Sequence, residues 1–536
     1  MLSRIVIKNY RVFRDFELAF NSEMNILVGD NAAGKSTLIE AVGLAMTGRL
    51  HGRQMAQELS PYLFNGGAVA EYLTAVRAGG KPAPPEILID LFLAKSDQPE
   101  VNRLCGTNNL LKSNDPGVRI RVTLNEDYRH EYEEFLKEPD QVRLVPTEYY
   151  KVDWLDFAGN RITARSIPGS TALIDASAIH LQSGVDFYLD GILSANLSPE
   201  ERVRLARAYR GLREQFSANS SIVKINERLR AAPSDVSDRE LTLGIDVSHR
   251  ARWENGIVPH LDDLPYHYAG KGEQSTLKIL LALDRREEET RVVLVEEPEN
   301  HLSFTNLGRL VKKIGDRCAE QQVFITTHSS FVLNKLGLDR LVLLTGASGF
   351  GLADLPAGTQ DYFRKLSGYD TLRLVLARRA ILVEGPSDEL VVQRAYHDAH
   401  DGRMPIDDGI DVINARGLTF KRFLDIAARL PDIQVTVVTD NDAEDGTIVR
   451  SRYAAYTTYD NVTVCVSDDT SCPTLEPQMV KANGADRMKQ ILGLSGSMTD
   501  EELATHMKNN KTTCALAIFE TGLPVTMPEY IRDAVA

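Results

Sequence analysis

Ile26-Leu27-Val28-Gly29-Asp30-Asn31-Ala32-Ala33-Gly34-Lys35-Ser36-Thr37, followed by Leu38-Ile39-Glu40-Ala41-Val42, reads as an apolar strand, a Gly-x-x-x-x-Gly-Lys-Ser turn and the start of a helix. That order is the context a phosphate-binding P-loop requires. A polyphosphate needs several backbone N–H groups pointing inward, and Gly29 and Gly34 let the chain curl closely enough to supply them. Lys35 adds a point charge for the outer phosphates, Ser36 offers a hydroxyl to Mg2+, and the positive end of the helix dipole favours the anion. Asn31, Gly34, Lys35, Ser36 and Thr37 are therefore the expected contacts of a bound nucleotide, with ATP and Mg2+ as cofactors. At ordinary residue usage the bare pattern arises by chance in roughly 2% of chains this long, and requiring a strand before it lowers that figure.

The 536 residues around this stretch are enough for about three domains, and 43% hydrophobic with 25% charged content suits a large buried core. No apolar run approaches the roughly 18 residues that span a bilayer, and the amphipathic N-terminus lacks a signal-peptide shape, so a cytoplasmic protein without membrane contact is expected. Five cysteines (Cys105, Cys318, Cys465, Cys472 and Cys514) stand scattered without a Cys-x-x-Cys pair. They suggest neither a disulfide framework nor a zinc site and read as buried small hydrophobes. A net charge of −14 argues against a generally basic coat, which leaves a local basic groove or metal-bridged phosphates for any nucleic-acid ligand.

Three further motifs follow in order. Gly270-Lys271-Gly272-Glu273-Gln274-Ser275 is a Gly-rich turn opening a helix, hence a second anion site. Val292-Val293-Leu294-Val295-Glu296-Glu297-Pro298-Glu299 is a buried strand ending in paired carboxylates, a Walker B pattern. Glu296 is assigned to the Mg2+ hydration shell and Glu297 to polarising the attacking water. Val323-Phe324-Ile325-Thr326-Thr327-His328 then ends another strand with a histidine.

A second chemistry begins beyond a Gly- and Ala-rich stretch from Gly346 to Gly358 and a helix expected around 361–378. Ala380-Ile381-Leu382-Val383 ends in Glu384-Gly385-Pro386-Ser387-Asp388, and Gln434-Val435-Thr436-Val437-Val438 ends in Thr439-Asp440-Asn441-Asp442. With Ile410–Asn414 between them, strand and helix alternate as in a parallel α/β unit whose acids sit at strand C-terminal ends. Asp440 and Asp442 are expected on one side of an extended backbone. Clustered carboxylates repel one another and need a cation, and hard oxygen ligands suit Mg2+ or Mn2+.

The P-loop, signature-like turn, Glu-Glu-Pro-Glu and His328 resemble the ABC-type ATPases of the SMC, RecF and OLD (overcoming lysogenization defect) group. Glu-Gly followed two strands later by Asp-x-Asp resembles a TOPRIM domain. The combination is similar to the OLD-family ATP-dependent endonucleases, among which the nuclease subunit of the Gabija anti-phage system has the same plan. The resemblance implies an α/β chain with an ABC-type P-loop ATPase (1–164 and 236–375), interrupted by a helical insertion (165–235) that mediates dimerisation, and then a TOPRIM nuclease domain (376–536). It makes His328 the switch histidine, and the Asn9-Tyr10-Arg11-Val12-Phe13 stretch offers Arg11 and Phe13 as base contacts. Thr474-Leu475-Glu476 adds Glu476 to metal ligands Glu384, Asp388, Asp440 and Asp442, and Lys511, with Lys508 as competitor, is the lysine that offsets transition-state charge. The glutamine loop of this ATPase class is not placed.

The implied activity is nucleotide-regulated, metal-dependent DNA cutting in anti-phage defence by a homodimer or larger homo-oligomer, with a helicase-like defence partner. The alternatives are a TOPRIM nuclease acting on RNA, including tRNA, and a non-catalytic ATP-gated sensor or scaffold that recruits an effector.

Overall fold

The computed structural model describes residues 1–137, 143–168, 170–175, 197–231, 243, 260–283, 290–317, 321–345, 348–352, 355–366, 368–417 and 420–536. The chain divides into two compact units: Met1–Met24 with Ser36–Thr326, and Asn25–Lys35 with Thr327–Ala536. Among the described residues no helix is long and apolar enough to cross a membrane.

The first unit opens with a hairpin. Strands β1 (Leu2–Tyr10) and β2 (Phe13–Ala19) pair antiparallel, with Ile5, Ile7, Phe13, Phe16 and Leu18 turned into the core. After strand β3 (Met24–Val28) and helix α1 (Lys35–Thr47), strands β4 (Ile87–Leu93), β5 (Asp115–Leu124) and β6 (Tyr150–Asp156) extend the hairpin's sheet in the order β2-β1-β4-β5-β6. β4 is buried along its whole length, including Asp90. Its carboxylate accepts from Arg119 Nε and Nη2, each at 2.6 Å, and from the Leu110 N–H at 2.6 Å. Both oxygens of that buried acid thereby accept hydrogen bonds and its charge is paired, which is the condition for tolerating a charge in a core.

A second set of strands in this unit is parallel, as βαβ connections require. β7 (Ser170–Asp175), β8 (Thr290–Glu296) and β9 (Gln322–Thr326) pair in that order. Between β7 and β8 come helices α2 (Pro199–Ser217), α3 (Ser220–Ala231) and α4 (Lys271–Leu283). Ser198 caps α2: its Oγ accepts from the Glu201 N–H, and Glu201 Oε2 accepts from the Ser198 N–H. On α2, Val203, Leu212 and Phe216 are 68%, 63% and 48% exposed. Parts of the 165–235 insertion lie outside the described residues, as does Cys318.

In the second unit β3 pairs parallel with β10 (Leu341–Leu344), Ile26 lying opposite Leu341. The helix expected around 361–378 is two helices, Ala357–Lys365 and Thr371–Leu376. The second leads into strand β11 (Arg379–Val383), which with β12 (Ile410–Asn414), β13 (Gln434–Val438) and β14 (Val462–Cys465) forms a four-stranded all-parallel sheet ordered β12-β11-β13-β14. Ile381, Val383 and Val438 share a core with the helices Pro386–Ala399, Leu475–Asn483, Lys511–Glu520 and Glu529–Val535. Three of the four described cysteines, Cys465, Cys472 and Cys514, are buried and Cys105 is partly so.

Candidate functional site

The P-loop follows the fully buried β3 without a break. A Cβ at Gly29 would stand 2.6 Å from the carbonyl oxygen of Leu344, so only glycine lets β3 turn beside its neighbour here. Lys35 is buried and its Nζ donates to the carbonyls of Gly29 (2.8 Å) and Asp30 (3.0 Å). Asp30, Asn31 and Ala32 are exposed at the tip. His328, also in this unit, is exposed between two fixed neighbours: the Thr327 N–H donates to Leu27 O (3.2 Å), and Ser329 caps the helix Ser330–Leu336. His328 and Asp30 line one cavity of about 370 Å³.

The other ATPase motifs belong to the first unit. Glu296 closes β8 opposite Thr326. Glu297 adopts φ +45°, a left-handed conformation costly for a side chain of this size, and strain of this kind collects at functional turns. The turn is held: the Glu297 N–H donates to Thr326 O (3.0 Å) and Oγ1 (3.1 Å), and Asn300 Nδ2 donates to Glu297 Oε2 (2.7 Å). The signature-like turn packs against this one, since a Cβ at Gly272 would meet His301 O at 2.3 Å. Gln274 Nε2 donates to Ala269 O (2.8 Å) and Tyr266 OH to Gln274 O (2.9 Å), while the buried Ser275 hydroxyl finds no partner among the described residues.

Thr37 and Arg11 line a cleft of about 710 Å³ together with Tyr62, Arg77 and Arg143. Arg11 is pinned to α1 by Glu40, at 2.8 Å through Nε and 2.9 Å through Nη2. Phe13 is fully buried in the hairpin core, which removes it as a base contact; alternation along β2 turns it inward.

The four carboxylates Glu384, Asp388, Asp440 and Glu476 come together at the C-terminal edge of the all-parallel sheet. Glu384 follows β11 directly, and its Oε1 accepts from Thr439 Oγ1 (2.6 Å) and the Asp440 N–H (3.0 Å), tying the ends of β11 and β13 to each other. Asp388 Oδ2 accepts from the Gly385 N–H (3.0 Å) at the start of the next helix. Glu476, buried, accepts from Thr474 Oγ1 (2.7 Å) and pairs with Lys511 Nζ at 3.3 Å. Of the two candidate lysines, Lys511 makes this ion pair.

Electrostatics describes the cluster most directly. Burial, then the charges of Glu384, Asp388 and Glu476, push the Asp440 carboxyl up to about 8. Burial and Glu384 push Asp388 up to about 6, with Lys511 pulling against them. Burial works against the Lys511 ammonium, yet Glu476, Asp440 and Asp388 outweigh it and hold the amine above its usual range. Four acids share one base, so a cation would relieve the surplus, and the all-oxygen donor set fits a hard divalent ion. Among the described residues no group of three or more His, Cys, Asp or Glu side chains already stands as a metal cage, so binding would have to draw these carboxylates inward.

Asp442 departs from the expected geometry. β13 ends at Val438, and Asp442 has φ +51° with its N–H donating to Pro473 O (3.0 Å). The backbone is therefore not extended from 440 to 442; Asn441 is fully buried between them and Asp442 is exposed. Alternation failed because the strand stops two residues earlier. Two contributors carried no separate signal in the sequence: Thr439, which orients Glu384, and Tyr530, buried some ninety positions downstream, whose hydroxyl is held well above its ordinary range by burial and by Asp440, Asp388, Glu384 and Glu476. Just beyond this turn in the chain, Arg450 pairs with Asp468 (2.8 Å) and Arg452 with Glu444 (2.5 Å).

Known families match three stretches of the chain. Residues 4–127 match the family described as an AAA domain, and 195–334 match an AAA domain described as putative AbiEii toxin, Type IV TA system. Residues 375–442 match the TOPRIM domain of overcoming lysogenization defect protein-like chains. The chain is an AAA-type ATPase joined to an OLD-like TOPRIM domain. The matched stretches are the two parts of an ATPase-nuclease, and part of the chain has curated relatives. The DNA replication and repair protein RecF of Acetivibrio thermocellus is 41% identical over 58 residues, 11% of this chain and 16% of that protein's length. RecF of Geobacter sp. strain M21 is 23% identical over 371 residues, 63% of this chain and 95% of that protein. The C-terminal region of the Burkholderia pseudomallei OLD protein aligns at 22% identity and TM-score 0.25, over 30% of this chain and 96% of that one. An overlay so loose adds nothing to the assignment, which stands on the matched families and the carboxylate cluster.

Proposed function

We propose that this chain is a nucleotide-regulated endonuclease that hydrolyses phosphodiester bonds in DNA with Mg2+ or Mn2+, acting in anti-phage defence. The observation that carries the reading is the four-to-one surplus of carboxylates over Lys511 at the edge of the TOPRIM sheet. Glu384, Asp388, Asp440 and Glu476 would hold the metal, with Asp442 joining from its exposed turn. When bound, such an ion lowers the pKa of a water and offsets charge on the leaving oxygen. Thr439 and the Asp440 N–H orient Glu384 toward that role, and Lys511 stands beside Glu476 to offset phosphate charge.

In the ATPase, Lys35, Gly34, Asn31, Ser36 and Thr37 bind the triphosphate and the 710 Å³ cleft beside Arg11 takes the nucleoside. Glu296 orients Mg2+, while Glu297, fixed by Asn300, polarises water and His328 senses the outer phosphate. Because the signature-like turn closes over a nucleotide held by another subunit in ATPases of this type, the working unit is a homodimer or larger. The domain limits follow the sequence reading: ATPase at 1–164 and 236–375, insertion at 165–235 and nuclease at 376–536. A cytoplasmic site of action and a helicase-like partner complete the proposal.

The test is cleavage of supercoiled and linear DNA by purified protein with Mg2+ or Mn2+, with and without ATP, beside Glu384→Ala and Lys35→Ala. Cutting lost in Glu384→Ala, with an altered ATP response in Lys35→Ala, is the expected result. Cutting of tRNA but not DNA would transfer the reading to an RNA nuclease. No metal-dependent cutting of either would favour a sensor that recruits an effector.

A further inference from the structure

The P-loop residues Asn25–Lys35 belong to the same compact unit as the entire TOPRIM sheet. Within that unit a cavity of about 440 Å³ has Asn31 and Ala33 on one wall and Val375, Arg378, Arg429 and Asp432 on the other. The second wall consists of the two segments that feed the carboxylate-bearing strands. Residues 375–378 run into β11, which ends at Glu384; residues 429–433 run into β13, which ends just before Asp440. The strands are bonded in register from Arg379 opposite Gln434 to Leu382 opposite Val437, and the Gln434 N–H donates to Arg378 O (3.0 Å).

These connectors are stiff. Asn461 Nδ2 donates to the carbonyls of Ala427 (3.0 Å), Leu430 (3.0 Å) and Ile433 (2.9 Å), which fixes the turn entering β13. At the far end Glu384 bridges the strands through Thr439 and the Asp440 N–H. A displacement at the N-terminal ends is therefore carried along five-residue strands, roughly 17 Å, to both acids together.

A source for such a displacement lies in the loop. Lys35 Nζ is bonded to the Gly29 and Asp30 carbonyls, so an ammonium drawn outward to a phosphate is drawn away from those acceptors. The residues released are those leading to the cavity wall. We propose that this cavity couples the two chemistries: exchange of Lys35 from loop carbonyls to nucleotide phosphate shifts Asp30–Ala33 against 375–378 and 429–433, and the paired strands β11 and β13 pass that shift to Glu384 and Asp440. The inference rests on the ATP-regulated nuclease reading and names its route.

Hydrogen exchange with and without a non-hydrolysable ATP analogue and Mg2+ tests it without any cleavage substrate. Peptides covering 375–384 and 429–440 change exchange in the wild type and not in Lys35→Ala, and the change is lost in Pro431→Gly and Asp432→Ala, whose sites are exposed. In those two variants analogue affinity and nucleotide-free cutting stay at the wild-type level. The ratio of cutting with and without ATP, about 5- to 150-fold for an ordinary coupling, falls to about 1. Unchanged exchange at 375–384 and 429–440 while P-loop peptides report binding would overturn the route and leave the ATP-binding reading intact. No response at the P-loop itself would overturn both.

Discussion

Two buried acidic sites in this chain are built to opposite rules. Asp90 in β4 is matched one to one by Arg119 through two bonds of 2.6 Å and is closed off by a backbone amide. At the TOPRIM edge Asp440 and Asp388 are crowded with Glu384 and Glu476 around one lysine that is itself half-exposed, and both carboxyls are pushed up, to about 8 and about 6. A balanced buried charge is architecture, since nothing more can be added to it. An unbalanced one stores repulsion that a cation can discharge, which is why perturbed acids at a sheet edge point to a site.

The comparison breaks most readily through substitution. Asp440→Asn is expected to lower metal-dependent cutting by at least about a hundredfold, since altering groups behind a metal ligand alone costs 10- to 100-fold. It should also leave the fold at least as stable as wild type in chelator at pH 8, read as melting temperature. Asp90→Ala should do the reverse. Stranding Arg119 in the core costs about 3–5 kcal/mol, measured by denaturant unfolding, and metal affinity of the remaining folded protein stays the same. A cutting defect in neither variant, or a destabilised Asp440→Asn, would erase the distinction.

The titration gives a second handle. Folded Asp440 has a pKa above its unfolded value, so its contribution to stability is fully present below about pH 4 and is lost as pH rises toward about 8. Metal-free protein should therefore lose melting temperature across that window. Added Mg2+ should restore it by an increment that grows with pH, with proton release seen by calorimetry in buffers of different ionisation enthalpy. A Mg2+ increment independent of pH would mean that Asp440 is not a ligand.

A smaller effect is expected from Lys511→Met. Removing a positive charge that pulls the acids down moves the pH dependence of metal binding upward, while the buried Glu476 keeps its Thr474 bond and the fold survives. Smallest of all is Arg14→Ala, which breaks the exposed Arg14–Glu71 pair; solvent screens such pairs, and no shift in melting temperature should be measurable.

Local order was legible from the chain because the groups concerned lie close together in it. The P-loop, the Walker B strand, the Ser198 cap and the parallel strands each combine a period with a terminator, and all lie where the residues put them. Phe13 and Asp442 show the limit. Whether an apolar residue is covered, or a strand continues two residues further, depends on neighbours that spacing does not name.

By itself the sequence determined which phosphate and carboxylate chemistries this protein carries, because backbone N–H groups in a Gly-rich turn and acids at strand ends depend on contiguous residues. Only the tertiary structure decided which acids share a field, that Lys511 rather than Lys508 pairs with Glu476, that Thr439 and Tyr530 join them, and that the P-loop shares a cavity with the roots of β11 and β13. Those relations come from burial and from contacts between segments up to about 400 positions apart, set by how the elements pack.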